Sequence, residues 1–281
     1  MKILITGGNG NLAKIIKTAL NGPVYEITNP SRSDLNLLSF DDVQNYFNER
    51  TFDILIQTAI VGGRRTKDET ADVVYKNALM FENLAMFSHK FKLILNFDSA
   101  AIYDRSNDIL NRKEDELNTI PTDFYGFSKY LIYQRSLKID NLYNLRIFNI
   151  FHTNEEPDRF IKSCFISKQQ VKPITIFEDK YFDFVYEKDF IKIVKYYLDN
   201  VNTQDKLKKT INVCYQEKYR LSDIANMILE PNMTTFENII ILKNDSNNNY
   251  SGNGSLLHST NLNLHGLKKS LELYAQTFTN K

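Results

Sequence analysis

Short apolar runs alternate with longer amphipathic stretches through the first half of the chain. Lys2 to Thr6 is an apolar run that meets a glycine-rich turn. Asn11 to Leu20 has helical spacing, with Leu12, Ile15, Ile16 and Leu20 on one side. Val24 to Thr28 predicts a second strand, Asp41 to Phe47 a helix and Asp53 to Thr58 a third strand. Val73 to Ser88 predicts a long helix, Lys92 to Phe97 a buried strand, Phe127 to Leu137 a helix and Leu145 to Ile150 a strand. Strands and helices in this alternation predict a parallel sheet covered on both faces.

Beyond Phe151 the pattern is less regular. Ile174 to Phe177, Phe182 to Val185 and Thr210 to Val213 predict strands. Asp189 to Leu198, Leu221 to Leu229 and Leu267 to Phe278 predict helices. Asn244 to Ser255, rich in Asn, Ser and Gly, predicts a mobile loop. The expected fold is α/β, a Rossmann-type doubly wound parallel sheet with a small C-terminal substrate-binding lobe. Residues 1–150 would form the dinucleotide-binding domain, with 183–215 returning to it. Residues 151–182 and 216–281 would form the small lobe.

Composition narrows the function. A net charge of +1 gives no global field for nucleic acid or an anionic membrane, so an anionic ligand must be held by local groups. Cys164 and Cys214 are far apart and have no histidine ligands beside them, which argues against a disulfide framework or a zinc site. No apolar run approaches the length of a membrane span. A cytoplasmic protein is expected, with no nucleic-acid or membrane partner.

The turn Thr6-Gly7-Gly8-Asn9-Gly10-Asn11-Leu12-Ala13 joins the first strand to the first helix. Gly7 suits a tight turn, Gly10 lets backbone approach a pyrophosphate, and Ala13 lets helix and strand pack closely. The helix N-terminus offers N–H groups and the positive end of its dipole. A glycine-rich turn in some other α/β fold is the plainer reading. The end of the second strand reads Ile27-Thr28-Asn29-Pro30-Ser31-Arg32, without the acid that would hold a ribose 2′-hydroxyl. Arg32 and Ser31 suit a 2′-phosphate, so NADP(H) is favoured over NAD(H), unless Arg32 is only a solvated loop residue. Asp34 and Leu35 would fall near the adenine edge.

Two further segments carry chemistry. The fourth strand ends in Asp98-Ser99-Ala100-Ala101-Ile102-Tyr103, and Tyr125-Gly126-Phe127-Ser128-Lys129 opens a helix. Residues four apart share a helix face, so Tyr125 and Lys129 converge. A phenol titrates near pH ~10, and a neighbouring ammonium favours its phenolate. Tyr125 would then exchange a proton with a carbonyl oxygen, and Ser99 would hydrogen-bond that oxygen. Each motif alone is common. Their order after a glycine-rich turn is far more specific.

On these residues the chain resembles the extended short-chain dehydrogenases/reductases that act on nucleotide sugars, and within them the GDP-fucose synthase group. Further resemblance lies in Ser31-Arg32-Ser33-Asp34-Leu35-Asn36-Leu37-Leu38, Ala59-Ile60-Val61-Gly62-Gly63, Val74-Tyr75-Lys76-Asn77, Arg146-Ile147-Phe148-Asn149 and Asp183-Phe184-Val185-Tyr186 with Asp189. The resemblance implies Tyr125 as proton donor, Lys129 also on the nicotinamide ribose, Ala59 beside the cofactor and Asn149 near the sugar. It implies a homodimer formed through two helices, around Val73–Ser88 and Phe127–Leu137. Gly63, Ala101, Asn149 and His152 are the other expected substrate contacts. Arg64 and Arg65 suit a diphosphate, or are two solvated arginines.

The departures favour simple reduction. Ala101 stands where the group has an epimerase cysteine, and no histidine occurs at Asp158-Arg159-Phe160. Phe182 and His152-Thr153 also break the pattern, which leaves the nucleotide open. The expected activity is NADPH-dependent reduction of a 4-keto, 6-deoxy nucleotide sugar. The alternatives are an epimerase or bifunctional epimerase/reductase, and, less well supported, a non-catalytic NADP(H)-binding protein. A dehydratase would need an acidic pair where Ala100-Ala101 stands.

Overall fold

The computed structural model describes residues 1–63, 68–229, 239–243 and 248–279. In chain order the first elements are β1 (Lys2–Ile5), α1 (Asn11–Leu20), β2 (Glu26–Thr28), α2 (Phe40–Glu49), β3 (Ile54–Gln57), α3 (Asp72–Ala85) and β4 (Leu93–Ser99). A 3-10 turn, Ala100–Tyr103, follows β4. Then come β5 (Ile109–Arg112), α4 (Phe124–Ser136), β6 (Leu142–Ile147), β7 (Ile150–Phe151), α5 (Phe160–Gln169), β8 (Ile174–Ile176) and β9 (Val185–Tyr186). The chain continues through α6 (Glu187–Asp199), β10 (Thr210–Val213), α7 (Leu221–Leu229), β11 (Ile239–Ile241), β12 (Tyr250–Gly252), α8 (Ser255–His258) and α9 (Gly266–Thr279).

Two compact units result. The first comprises Met1–Arg105, Leu117–Ile147 and Val194–Ile211. Its sheet has the order β10-β6-β4-β3-β1-β2, and the strands from β2 to β6 pair in parallel. The chain runs from β1 out to β2 and then crosses back to β3 on the other side of β1, so the strand order reverses between β1 and β3, the switch point at which doubly wound sheets bind ligands. β3 is buried throughout, and so is β1 after Lys2, as expected for strands covered on both faces. On one side Leu4, Leu55 and Ile94 pack with Val43, Phe47 and Phe81 of α2 and α3. α1 turns Ala13, Ile16 and Leu20 inward.

The second unit comprises Ser106–Glu116, Phe148–Ile193 and Asn212–Lys281. It contains three parallel strand pairs, β7 with β9, β8 with β11 and β12 with β5. In its interior Phe151 stacks on Tyr186, and Tyr274 meets both rings edge-on. Asp189 is fully buried and accepts from the Tyr215 hydroxyl at 2.8 Å and from the His265 N–H at 2.7 Å.

Several expectations shift. α4 begins at Phe124, so Tyr125 lies in its first turn, where Asp123 accepts from the Gly126 N–H at 2.8 Å. A side chain that caps a helix fixes its start more firmly than apolar periodicity does. The predicted strand 145–150 divides into β6 and β7. The predicted loop 244–255 contains β12 and opens α8, and its residues 244–247 lie outside the described ones. β12 was illegible because its residues are polar or glycine, yet Tyr250 and Ser251 are buried beside β5. No described helix is long and apolar enough to cross a membrane.

One buried ion pair crosses the centre of the sheet. Asp98 and Arg146 face each other in register on β4 and β6, and Arg146 Nε lies 2.7 Å from Asp98 Oδ2. Both side chains are essentially without solvent contact. Arg146 also donates to the Tyr103 hydroxyl at 2.7 Å and lies between the Tyr103 and Tyr133 rings. Removing one partner of such a pair strands the other charge, which costs about 3–5 kcal/mol. Arg146→Met is therefore expected to lower unfolding free energy by about that amount. Urea denaturation measures it, and a loss below about 1 kcal/mol would show the pair to be dispensable.

Candidate active site

The glycine-rich turn after β1 is built as its glycines require. Gly7 has φ +69°, and a Cβ there would lie 2.9 Å from the Ala59 Cα, so the β1 turn sits directly against the end of β3. Gly8 donates to the Pro30 carbonyl at 3.3 Å, which joins the same turn to the segment after β2. Gly10 is the N-cap of α1 and supplies no capping side chain, and Asn11 is exposed beside it. Leu12 is half-buried. A helix start bare of side chain, reached through a turn that a Cβ would fill, fits a dinucleotide pyrophosphate.

After β2, Ser31 opens a tight turn. Its N–H and its hydroxyl both donate to Asp34 Oδ2, at 2.9 and 2.6 Å. These bonds hold the Asp34 carboxyl below its usual range. Ser31 Oγ also lies 2.7 Å from Ser33 Oγ. Arg32 is exposed, and no described residue holds its guanidinium by a hydrogen bond or ion pair. Leu35 is a core residue, buried among Leu37 and Val43.

At the carboxyl end of β4 the reactive residue types meet. Ser99 Oγ accepts from the Ala101 N–H at 3.2 Å. A Cβ at Gly126 would lie 2.7 Å from the Ala101 carbonyl, so the first turn of α4 rests on the segment that carries Ser99. Lys129 is buried and its Nζ donates to the Phe97 carbonyl at 2.6 Å, two residues before Ser99. That ammonium lies 5.8 Å from the centre of the Tyr125 ring. Gly63 touches the same ring, 2.9 Å separating Tyr125 from where a Cβ at 63 would stand. Ser99, Ala101, Gly63, Tyr125 and Lys129 are thus gathered in the first unit.

Four contributors escaped the site reading. Asn77 of α3 accepts from the Val61 N–H at 2.8 Å and donates to the Val61 carbonyl and to Ser128 Oγ, which itself donates to the Tyr125 carbonyl at 2.7 Å. It ties the loop after β3 to the turn holding Tyr125. Glu69 accepts from the Gly63 N–H, and Arg105 is paired with Asp123 beside the Tyr125 ring. Asp98 supports Lys129. A polar residue inside an apolar run, as Asp98 and Arg146 both are, was the available signal for the last.

Asn149 and His152 belong to the second unit. Asn149 Oδ1 accepts from Arg159 at 2.8 Å. His152 is buried, and burial with Lys162 and Arg159 pushes its imidazole down to about 4, so it is neutral at physiological pH. Burial pushes the nearby Glu155 up to about 8. Arg64 and Arg65 lie outside the described residues. Among the described residues no histidine, cysteine and carboxylate cluster suits a metal.

The fold agrees with the comparisons. Residues 3–214 match the model of the NAD dependent epimerase/dehydratase family. The chain belongs to that family. By that family's description it is an NAD-dependent enzyme of the epimerase/dehydratase type. Its fold is similar to a dTDP-4-dehydrorhamnose reductase from Bacillus anthracis in complex with NADP, with TM-score 0.80, 19% identity and coverage of 97% of this chain and 98% of that one. It is similar to a GDP-L-fucose synthetase from Naegleria fowleri bound to NADP, with TM-score 0.74, 14% identity and coverage of 99% and 92%. A dTDP-glucose 4,6-dehydratase from Bacillus anthracis in complex with NAD also shares the fold, with TM-score 0.74, 12% identity and coverage of 100% and 97%. No curated protein sequence matches the chain significantly.

Burial lowers Lys129 to about 8 from an ordinary 10.5, against the opposing pull of Asp98. The folded value lies below the unfolded one. Below about pH 8 both states hold the proton, and the cost of burying the charge is fully present. From about 8 to 10.5 only the unfolded state holds it, so the wild-type protein regains stability as pH rises. Relative to Lys129→Met, wild type is expected to gain up to about 3 kcal/mol across that interval. Urea denaturation of both proteins at several pH values measures the difference, and a flat difference would show that Lys129 titrates normally.

Proposed function

We propose that the protein is an NADPH-dependent reductase of a 4-keto nucleotide sugar, most simply a 6-deoxy sugar. The carrying observation is the buried Lys129 ammonium beside Tyr125, on a helix start that rests against the Ser99 segment. The Tyr125 hydroxyl gives its proton to the substrate carbonyl oxygen, and Lys129 favours the phenolate left behind. Ser99 Oγ donates to the same oxygen and stabilises its growing negative charge. The nicotinamide, when bound, supplies the hydride that reduces the carbonyl carbon. Gly7, Gly10, Asn11 and Leu12 would hold the pyrophosphate, Ala59 would line the dinucleotide, and Lys129 would also reach its ribose.

Ala101 supports reduction without epimerisation. A methyl group can neither take nor return a proton, and this one is buried. Asn149 and His152 would contact the sugar nucleotide, His152 as a neutral hydrogen-bonding ring. Arg32 supports NADPH over NADH, because its exposed guanidinium can make charge-assisted bonds to a 2′-phosphate. The proposed homodimer would use α3 and α4, which expose Tyr75 and Leu131.

Substrate-dependent loss of NADPH absorbance, with a panel of dTDP- and GDP-linked 4-keto-6-deoxy sugars, tests the activity. Tyr125→Phe is expected to lower turnover by at least about 100-fold and to leave NADPH affinity within about twofold. Residual turnover close to wild type would remove Tyr125 from the proton-transfer role. Arg32→Ala is expected to weaken NADPH binding by about tenfold or more with little change for NADH. Fluorescence titration with both nucleotides measures this, and equal losses would contradict the assignment.

A further inference from the structure

Tyr125 has a second cation beside it. The Arg105 guanidinium carbon lies 5.7 Å from the centre of the Tyr125 ring, against 5.8 Å for the Lys129 ammonium. Arg105 is not a loose surface side chain. Only 16% of it is exposed, and two of its nitrogens bond the two oxygens of Asp123, with Nε at 3.2 Å. Asp123 is in turn fixed by capping α4 through the Gly126 N–H. The cap of the helix that carries Tyr125 therefore also aims a guanidinium at its ring.

We propose that Arg105 is a positioning residue for the reaction: held by Asp123, it lowers the pKa of Tyr125 and so readies its hydroxyl for proton transfer. The inference rests on Tyr125 being the proton donor, as proposed above. Among the described residues, these charged groups surround the ring. α4 and its cap supply Lys129 and Asp123, and the end of the 3-10 turn supplies Arg105 and Asp104. The loop after β3 brings Glu69 through Gly63, and β4 has Asp98, which Arg146 neutralises. An opposite charge near a titrating group favours its charged form, and a guanidinium 5.7 Å from the ring centre acts on the phenolate whose charge that ring shares. Asp123 offsets part of this effect. A guanidinium keeps its charge at every working pH, whereas Lys129 does not.

The experiment titrates Tyr125 directly, as the ultraviolet phenolate absorbance of wild type minus that of Tyr125→Phe, with NADP⁺ present and absent. Arg105→Gln is expected to raise that titration by about one unit, and Arg105→Lys to restore most of it. The pH profile of kcat/KM should move in the same direction, with kcat falling about threefold to tenfold. Asp123→Asn would remove the counter-charge and the hold on Arg105 together, so Arg105→Met, uncharged and of similar length, covers the case of Arg105→Gln failing to fold and should raise the titration likewise. An unchanged Tyr125 titration in a folded Arg105→Gln or Arg105→Met protein would leave Arg105 with a capping role alone and overturn the proposal. If wild type reduces none of the sugars while Arg105→Gln still moves the titration, the proposed function fails and the electrostatic coupling stands. If wild type turns over and the titration stays put, the coupling fails alone.

Discussion

The site depends on keeping positive charge dry at the carboxyl end of β4. Lys129 reaches back from α4 to the Phe97 carbonyl, and Arg146 crosses from β6 to Asp98. One carboxylate thus faces two buried cations. The imbalance costs stability, because desolvation opposes the charged lysine more strongly than Asp98 supports it. In the proposed reaction the same imbalance is useful. An uncompensated cation beside a phenol favours the phenolate, and low surrounding polarity strengthens the effect. The packing of aromatic rings around Arg146 keeps water away from the pair that frames this charge.

Much of this was legible in the chain. β1 and β3 announced themselves as apolar runs because both faces of those strands are covered, and the glycine-rich turn between β1 and α1 was unmistakable for the same steric reasons that make Gly7 necessary. Tyr125 and Lys129 could be paired from helical spacing alone. Ser99 could be added because strand ends in parallel sheets point toward ligands. What could not be read was anything that depends on two distant segments meeting. Asn77 is an ordinary helix residue until the Val61 backbone and Ser128 are placed against it, some sixteen and fifty-one positions away. Arg105 looks like a loop arginine until Asp123 is fixed as a helix cap.

The second unit was harder for a different reason. Its strands are short and its pairs are isolated, so little hydrophobic period accumulates in any one of them. β12 is polar in sequence and buried in place, and Phe160–Gln169 forms α5 with its apolar residues spread around the helix. Here tertiary surroundings decide the structure, and local pattern says little. His152 shows the consequence for chemistry. Sequence could offer it only as a histidine near a motif. Its burial beside Arg159 and Lys162 is what holds it neutral.

The turn after β2 bears on cofactor choice in a way that composition alone obscures. The chain does contain an acid there, Asp34, and an acid near this point is what a ribose 2′-hydroxyl asks of its site. Yet Asp34 is spent locally. One of its oxygens receives both donors of Ser31, and the resulting turn closes on itself through the Ser31 carbonyl and the N–H groups of Asp34 and Leu35. Leu35 is drawn into the core by the same turn, which places it among packing residues. The Ser31 hydroxyl is drawn in as well, and that weakens the case for Ser31 as a phosphate ligand. Arg32, exposed at the apex, is left as the residue whose charge the fold has not used. The proposed preference for a 2′-phosphate therefore rests on Arg32 more heavily than on the Ser-Arg pair, with Asp34 bracing the turn that carries Arg32.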